Sequence, residues 1–298
     1  MTVKPSFRSG FVTIAGRPNV GKSTLINKLV DQKVAIVSDK PQTTRHKIMA
    51  VVNGIDSQLI FIDTPGLHRP KDSLGTRLNK VARVTFAEAD VIVFMLDALA
   101  GIGAGDEFIA RELAGIKRPV ILVINKIDAI DKARLDKQEN LAKGLGDFDQ
   151  IVLISALKGE GTDELIERLD DLIDVGPQYF PDGMISDQPE KVLVAEFIRE
   201  KVLAMTKEEI PYSVAVSIEE IKARKKKDLI DVRAWIYVER DSQKGILIGS
   251  GGEMIKAIGQ ESRIEIESIL GSKIFLDLRV KVRKKWRRDD RVIDELGY

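Results

Sequence analysis

Gly16-Arg17-Pro18-Asn19-Val20-Gly21-Lys22-Ser23-Thr24 sets two glycines, a lysine and a hydroxyl at the spacing of a phosphate-binding loop. The glycines let backbone N–H groups wrap phosphate oxygens, and the N-terminus of a following helix adds a favourable dipole. In such a loop Lys22 reaches the β- and γ-phosphates and Ser23 Oγ ligates Mg²⁺. A phosphate loop alone does not separate ATP from GTP. Asn125-Lys126-Ile127-Asp128 does, because it ends an apolar run that begins at Val120. A carboxylate at Asp128 accepts two hydrogen bonds, from guanine N1–H and the exocyclic amine. Adenine offers no such pair, and buried polar readout of this kind discriminates by about 10⁴–10⁵. Ser155-Ala156-Leu157, after the next apolar run, adds a backbone N–H for guanine O6.

Asp63-Thr64-Pro65-Gly66 follows the run Gln58–Ile62. Asp63 is expected to hold Mg²⁺ through a water, and Gly66 N–H to sense the γ-phosphate. Upstream, Pro41-Gln42-Thr43-Thr44-Arg45 lies in a polar stretch, and one of Thr43 and Thr44 completes the Mg²⁺ shell; the sequence leaves both open. The catalytic set expected from these motifs is Lys22, Thr43 or Thr44, and Gly66. Leu67 stands where Ras-like enzymes place the glutamine that orients the attacking water. Leucine cannot do so, which predicts slow intrinsic hydrolysis with the water held by the switch backbone, a partner or a monovalent cation. Asn19 is a candidate K⁺ ligand. The two histidines, His46 and His68, both fall in the switch stretches, where a histidine is a candidate general base.

A second motif lies far from the first. Ile248-Gly249-Ser250-Gly251-Gly252-Glu253-Met254-Ile255 has the form I-G-x-x-G-x-x-I and reads as a turn between helices. Glycines 249 and 252 allow a tight turn whose backbone approaches a sugar-phosphate chain, as a KH domain does with about four nucleotides of single-stranded RNA. Its flanks are basic: Lys222 to Lys227 holds Arg224, Lys225, Lys226 and Lys227, and Arg279 to Arg288 holds seven basic residues in ten. With Lys256, these supply the candidate phosphate contacts Lys225, Lys226, Arg279, Lys281 and Arg283. Trp286 is read equally as a base-stacking or a core residue.

The elements that must position these residues follow from patterning. Near-continuous apolar runs at Phe11–Ala15, Ile48–Val52, Gln58–Ile62, Val91–Leu96, Val120–Ile124 and Ile151–Ile154 read as strands buried on both faces. Helical stretches such as Lys22–Val30, Glu107–Ala114 and Asp163–Ile173 separate them. The expected fold is a doubly wound α/β domain with a mostly parallel sheet. Gly176–Glu190, with three prolines and two glycines, reads as a flexible linker. Beyond it the rhythm becomes a helix at Val192–Ala204, strands near Ser213–Ile218 and Leu229–Val238, helices at Gln243–Ile258 and Ser262–Leu270, and a strand at Lys273–Val282. In that strand Leu276, Leu278, Val280 and Val282 alternate with Asp277, Arg279, Lys281 and Arg283, one face apolar and the other mostly positive.

The chain has 298 residues, 44% apolar, which suits about two domains of ~150 residues. It has no cysteine, which excludes disulfides and a thiol nucleophile and fits a reducing cytosol. Residues 1–10 lack the apolar core of a signal peptide, and no run approaches the ~20 residues of a membrane span. Net charge is +1, but residues 191–298 hold 23 Lys/Arg against 19 Asp/Glu while residues 1–190 hold 24 against 27. The second half is therefore the basic one, and its charge is clustered.

Together the stretches Gly16–Ser23, Pro41–His46, Asp63–His68, Asn125–Asp128 and Ser155–Leu157, the Gly249–Gly252 loop and the ending KKWRRDDRVIDELGY resemble the Era family of bacterial GTPases over about residues 8–298. Ser250 departs from the family's pattern, where a basic residue is common. The resemblance implies a GTPase domain over 1–178, a linker over 179–190 and a type II KH domain over 191–298. It implies Mg²⁺ and GTP/GDP, binding to the 3′ end of 16S rRNA, a role in assembly of the small ribosomal subunit, and a cytoplasmic monomer with peripheral contact to the inner membrane. DNA is not an expected partner. The alternative is a membrane-surface signalling GTPase linked to cell-cycle control, whose basic tail meets anionic lipid. A P-loop kinase acting on a metabolite is disfavoured by the Asn125–Asp128 motif.

Overall fold

The computed structural model describes residues 7–40, 43–67, 70–225 and 228–298. Pro41, Gln42, His68, Lys226 and Lys227, all named above, lie outside the described residues. Contacts divide the chain into two units. One comprises 1–35, 44–70 and 75–187; the other comprises 36–43, 71–74 and 188–298.

The first unit is built on a six-stranded sheet of order β2-β3-β1-β4-β5-β6. Its strands are β1 (Arg8–Ala15), β2 (Ile48–Asn53), β3 (Ser57–Asp63), β4 (Val91–Asp97), β5 (Val120–Asn125) and β6 (Gln150–Ile154). All neighbours run parallel except β2 against β3. Every residue of β4 is buried, which is why its sequence VIVFMLD is apolar without alternation. Successive side chains still point to opposite faces. Val91, Val93 and Met95 share a core with Leu25 and Ile26 of α1 (Lys22–Leu29) and Leu165 and Leu169 of α5 (Thr162–Leu172). Ile92, Phe94 and Leu96 join Ala82 and Phe86 of α2 (Ser73–Glu88), Ile109 of α3 (Ala104–Leu113) and Ala142 of α4 (Lys132–Lys143). Helices thus cover both faces, and the doubly wound fold expected from the sequence is present.

The stretch read as a flexible linker is strapped along this sheet through residue 186. Gln58 is the fastener: its Oε1 accepts the N–H groups of Tyr179 and Phe180 at 3.0 and 2.9 Å, and its Nε2 donates to Phe180 O at 3.0 Å. Val51 N–H donates to Ile185 O at 2.9 Å, and Ser186 Oγ donates to Met49 O at 2.9 Å. Prolines and glycines predicted looseness, but a strand edge offers unpaired backbone groups that an irregular segment can satisfy.

The second unit contains α6 (Glu190–Met205), α7 (Ile210–Ser213), β7 (Ala215–Ala223), β8 (Ile230–Val238), α8 (Asp241–Ile248), α9 (Glu253–Leu270), β9 (Ile274–Val282) and α10 (Asp290–Glu295). In its three-stranded sheet β7 runs antiparallel to β8, and β8 parallel to β9. Val232, Ala234 and Ile236 of β8 and Val280 of β9 pack with Phe197, Leu247, Ile258 and Ile266 of the helices. One correction concerns helix bounds. The break falls at Gly249–Gly252, not between Ile258 and Ser262, and α9 runs unbroken through Gly259. Gly249, with φ 75° and ψ 174°, stops α8, and left-handed backbone at Gly251 and Gly252 completes the turn, whereas a lone glycine inside a helix costs only about 1 kcal/mol.

α6 is buried nearly all round, polar residues included, as a helix enclosed by its own unit must be. Ile36, Val37 and Thr43 are part of what encloses it. Ile36 is 1% exposed in this core, and Val37 N–H donates to Glu200 Oε1 at 2.8 Å. Arg199, fully buried, pairs with Glu196 and donates through Nη2 to Thr43 O.

Candidate nucleotide and nucleic-acid sites

Four strand ends converge at one edge of the first unit's sheet. Gly16 follows β1, and Asp63, Asp97 and Asn125 end β3, β4 and β5. The carboxyl ends of parallel strands are where doubly wound sheets bind ligands. The phosphate loop wraps Lys22, whose Nζ donates to Gly16 O at 3.0 Å and Arg17 O at 2.9 Å. Burial lowers the Lys22 ammonium to about 8, and the Asp63 carboxylate only partly offsets this. Burial likewise pushes the Asp63 carboxyl up, against the Lys22 charge and the hydroxyls of Ser23 and Thr44. Both charged forms are short of solvation, so a polyphosphate with a divalent cation relieves both.

Ser23 Oγ donates to Asp63 Oδ2 at 2.8 Å, Thr44 Oγ1 to the same oxygen at 3.1 Å, and the two hydroxyls are 3.2 Å apart. Asp63 Oδ1 is buried with no hydrogen-bond partner among the described residues. Two hydroxyls and one carboxylate with an orphaned oxygen suit a hard cation that draws its other ligands from phosphate and water, as Mg²⁺ does. Of the two threonines left open by the sequence, one stands in this group. Thr44 meets Ser23 and Asp63, while Thr43 Oγ1 donates to Lys40 O at 2.5 Å. Among the described residues no group of three or more His, Cys, Asp or Glu is placed to hold a metal ion.

Asn125 braces the guanine end. Its Nδ2 donates to Val20 O at 2.7 Å and its Oδ1 accepts Ala156 N–H at 2.9 Å. Gly21 is required beneath it: its φ is 106°, and a Cβ there would lie 2.4 Å from Asn125 Nδ2. Lys126 extends to Asn19 O at 2.9 Å and Asp97 Oδ2 at 2.6 Å. Asp128, half-buried in the turn after β5, has no hydrogen-bond or ion-pair partner among the described residues. Ser155 is buried; Leu157 is exposed.

Two motif residues do something the motif did not announce. Arg17 turns away to α3, donating to Asp106 Oδ1 at 2.8 Å and Gly101 O at 2.8 Å. It thus ties the phosphate loop to α3, a role no local spacing signals. Leu67 is 4% exposed, in the core with Ala82 and Phe86. Gly66 lies over the loop: a Cβ on it would stand 3.1 Å from Lys22 Nζ and 3.2 Å from Pro18 N. Thr64 is buried with its hydroxyl 3.5 Å from Ile14 O, and Pro65 links it to Gly66. His46 is half-buried.

In the second unit, α8 and α9 meet at the glycine loop. Gly249 has φ 75°, and a Cβ there would lie 2.8 Å from both N and Cβ of Met254, so only glycine fits. A Cβ on Gly251 or Gly252 would meet open space, leaving the outer side of the loop approachable. Ser250 and, one turn into α9, Lys256 are exposed, as is Lys225. Arg279 and Lys281 stand on the sheet face opposite the helical layer, each 5.7 Å from the Trp235 ring, and Arg283 lies 6.0 Å from that of Tyr237. Trp286 is a core residue. It is fully buried, donates Nε1–H to Ser213 O at 2.8 Å and stacks on Tyr298.

Residues 11–126 match the family described as 50S ribosome-binding GTPase, and residues 209–287 match the KH domain. The fold and site thus define a P-loop GTPase with a KH domain behind it. The chain is 50% identical to GTPase Era of Alkaliphilus metalliredigens over 98% of this chain and 99% of that protein. It is 52% identical to GTPase Era of Clostridioides difficile with the same coverage. It also superposes with TM-score 0.94 on two solved structures, each covering 98% of this chain and 99% of the other. One is a variant of Aquifex aeolicus Era bound to GDP·AlF4⁻, 41% identical; the other is Era with MgGDPNP and nucleotides 1506–1542 of 16S ribosomal RNA, 42% identical. The chain belongs to the Era family and is a GTPase.

Proposed function

We propose that this GTPase binds the 3′ end of 16S rRNA through its KH domain in a nucleotide-dependent manner and acts in assembly of the small ribosomal subunit. The observation that carries this is the presence, in one chain, of a guanine-type phosphate site and an open Gly249–Gly252 loop, at 42% identity over 98% of its length to an Era solved with 16S rRNA nucleotides. In the nucleotide site Lys22 binds the β- and γ-phosphates, Asp128 accepts from guanine, a backbone N–H of Ser155–Leu157 meets guanine O6, and Gly66 N–H reads the γ-phosphate. Ser23 and Thr44 hold Mg²⁺, with Asp63 behind them; the ion neutralises phosphate charge when bound. With Leu67 in the core, the attacking water is oriented by the backbone of residues 43–44 and 64–66 or by K⁺ near Asn19. Equal turnover in K⁺ and Na⁺ would eliminate the cation.

The switch has a structural lever. Residues 36–43 belong to the second unit and Thr44 to the first, so ordering Thr44 on Mg²⁺ acts on a segment held by Arg199 and Glu200. No helix among the described residues is long and apolar enough to cross a membrane. We place the protein in the cytoplasm as a monomer, with any inner-membrane contact peripheral. The test is fluorescence anisotropy with a labelled oligonucleotide of the 16S 3′ end and a scrambled control, each with GDP or a non-hydrolysable GTP analogue. Tighter binding of the true sequence, strengthened by the analogue, is the expected result. Equal, salt-sensitive binding to both would leave a generic polyanion surface and move the membrane reading to first place.

A further inference from the structure

Side chains hold the phosphate loop by its carbonyl groups. Those of Asn19 and Val20 are held from the base side, by Lys126 Nζ at 2.9 Å and Asn125 Nδ2 at 2.7 Å. Those of Gly16 and Arg17 accept Lys22 Nζ itself, at 3.0 and 2.9 Å. The place of the Lys22 ammonium therefore depends on where Arg17 O stands. This part of the loop is braced by the Arg17 side chain, whose Nε donates to Asp106 Oδ1 at 2.8 Å and whose Nη2 donates to Gly101 O at 2.8 Å. A planar guanidinium engaged through two nitrogens fixes direction as well as distance, which a single ammonium does not.

The anchor is firmer than a surface contact. The Asp106 side chain is 0% exposed, and its second oxygen accepts Gly103 N–H at 3.0 Å. The connection that carries it, from Asp97 to Asp106, is tied along its length. Asp97 Oδ1 accepts the N–H groups of Leu99 and Ala100 at 2.9 and 3.0 Å, Gly101 N–H donates to Asp97 O at 2.9 Å, and Ile102 N–H donates to Gln138 Oε1 at 3.2 Å. Asp97 Oδ2 also accepts Lys126 Nζ at 2.6 Å, so one connection reaches both the base motif and the phosphate loop. Gly105 makes room for the Arg17 side chain. A Cβ at 105 would lie 2.6 Å from Arg17 Cδ and 3.1 Å from Arg17 Cγ, so any side chain there displaces the arginine.

We infer that Arg17 is a positioning residue for GTP hydrolysis: through Asp106 and Gly101 it fixes its own carbonyl, and through that carbonyl it sets Lys22 Nζ against the phosphates. This rests on the reading in which Lys22 meets the β- and γ-phosphates. In the loose transition state of phosphoryl transfer, charge gathers on the leaving β-phosphate and the γ-oxygens. A displaced ammonium therefore costs the transition state more than it costs bound GDP, whose affinity is shared among the loop N–H groups and the base site.

The test measures single-turnover hydrolysis at saturating GTP, GDP affinity by calorimetric titration, and urea unfolding, all on the full-length protein. Arg17→Ala is expected to lower the rate constant by about 10–100-fold and to change GDP affinity by less than about threefold. Arg17→Lys keeps a cation beside the buried Asp106, and so the fold, but one ammonium does not reproduce the fork, and its rate stays at least about fivefold low. Gly105→Ala changes no group that faces the nucleotide, since the three atoms nearest a Cβ at 105 all belong to Arg17. Alanine suits a helix better than glycine, so stability is kept while the rate falls about as far as in Arg17→Lys. Adding Gly105→Ala to Arg17→Ala lowers the rate no further, because the side chain it displaces is gone. Rates within about twofold of wild type in both Arg17→Lys and Gly105→Ala overturn the inference, and these two variants decide it should Arg17→Ala fail to fold. A loss of GDP affinity as large as the loss of rate also overturns it, and leaves the tie as structural support only. Wild-type turnover in Lys22→Ala would overturn the reading of Lys22 itself, whereas loss of turnover there with full activity in the Arg17 and Gly105 variants overturns the positioning role alone.

Discussion

Asn125 Nδ2 donates to the carbonyl oxygen of Val20 at 2.7 Å, across 105 residues of sequence. The same side chain accepts Ala156 N–H, so one amide joins the phosphate loop to the loop expected to face guanine O6. Asn125→Ala leaves a buried carbonyl and a buried N–H unpaired, each costing about 1–3 kcal/mol. The expected outcome is a melting temperature lower by several degrees and a loss of GDP affinity of at least about tenfold, measured by thermal denaturation and calorimetric titration.

Thr44 and Thr43 are adjacent but serve different partners, so their alanine variants separate. Thr44→Ala removes a hydroxyl from the Ser23–Asp63 group and is expected to raise the Mg²⁺ concentration for half-maximal binding of a GTP analogue by about 10–100-fold. Thr43→Ala leaves that titration unchanged within about twofold. The reverse ranking would reassign the ligand.

Asp128→Asn replaces an acceptor by a donor where guanine presents its amine. Two mismatched polar contacts at about 1–3 kcal/mol each predict a GTP affinity lower by roughly 10²–10⁴. Xanthine carries an oxygen at that position, so affinity for XTP should rise in the same variant. A competition titration of GTP against XTP reads both, and an unchanged preference would remove Asp128 from the base site.

Arg199 and Glu196 form a buried ion pair inside the second unit. Arg199→Ala strands a buried carboxylate and is expected to cost about 3–5 kcal/mol in urea unfolding, whereas Arg199→Met/Glu196→Leu should be close to neutral. If residues 36–43 carry the nucleotide signal, the double variant will also show RNA affinity that no longer depends on nucleotide.

Glu267 near the end of α9 accepts Ile274 N–H at 3.1 Å and Lys273 Nζ at 3.0 Å, with Arg263 3.7 Å away. The Ile274 N–H first, then Lys273, hold its carboxyl below the ordinary 4.5. A depressed folded pKa contributes stability that is present above the unfolded value and lost as pH falls below about 4.5 through the folded one. The urea midpoint of the second unit should therefore fall in acid more steeply in wild type than in Glu267→Gln, with the two converging at the lowest pH. Parallel curves would show that the pair contributes nothing.

The motifs, the strands and the two-part plan were legible in residue order, because each depends on neighbours in sequence. Gly21 and Lys22 must open a helix to bind phosphate, and the run Val91–Leu96 must be a strand covered on both faces. Gly249 and Gly252 had to mark a turn, although the apolar spacing through Ile258 hid where α8 ends. What residue order left open depended on which distant group fills the adjoining space. Trp286 was a base platform or a core residue until Ser213 O and Tyr298 were found against it. Thr43 and Thr44 were equivalent until Lys40 took one and Asp63 the other. Arg17 lay inside a phosphate motif, yet Asp106 on α3 claims its side chain. Of seven basic residues between Arg279 and Arg288, pairing to Asp277, Glu295 and Glu239 sets three apart from Lys284, Lys285 and Arg288. Local periodicity and turn chemistry determine elements, but a charge or a ring acquires its role from the long-range contact that desolvates or neutralises it, and only tertiary structure decides that contact.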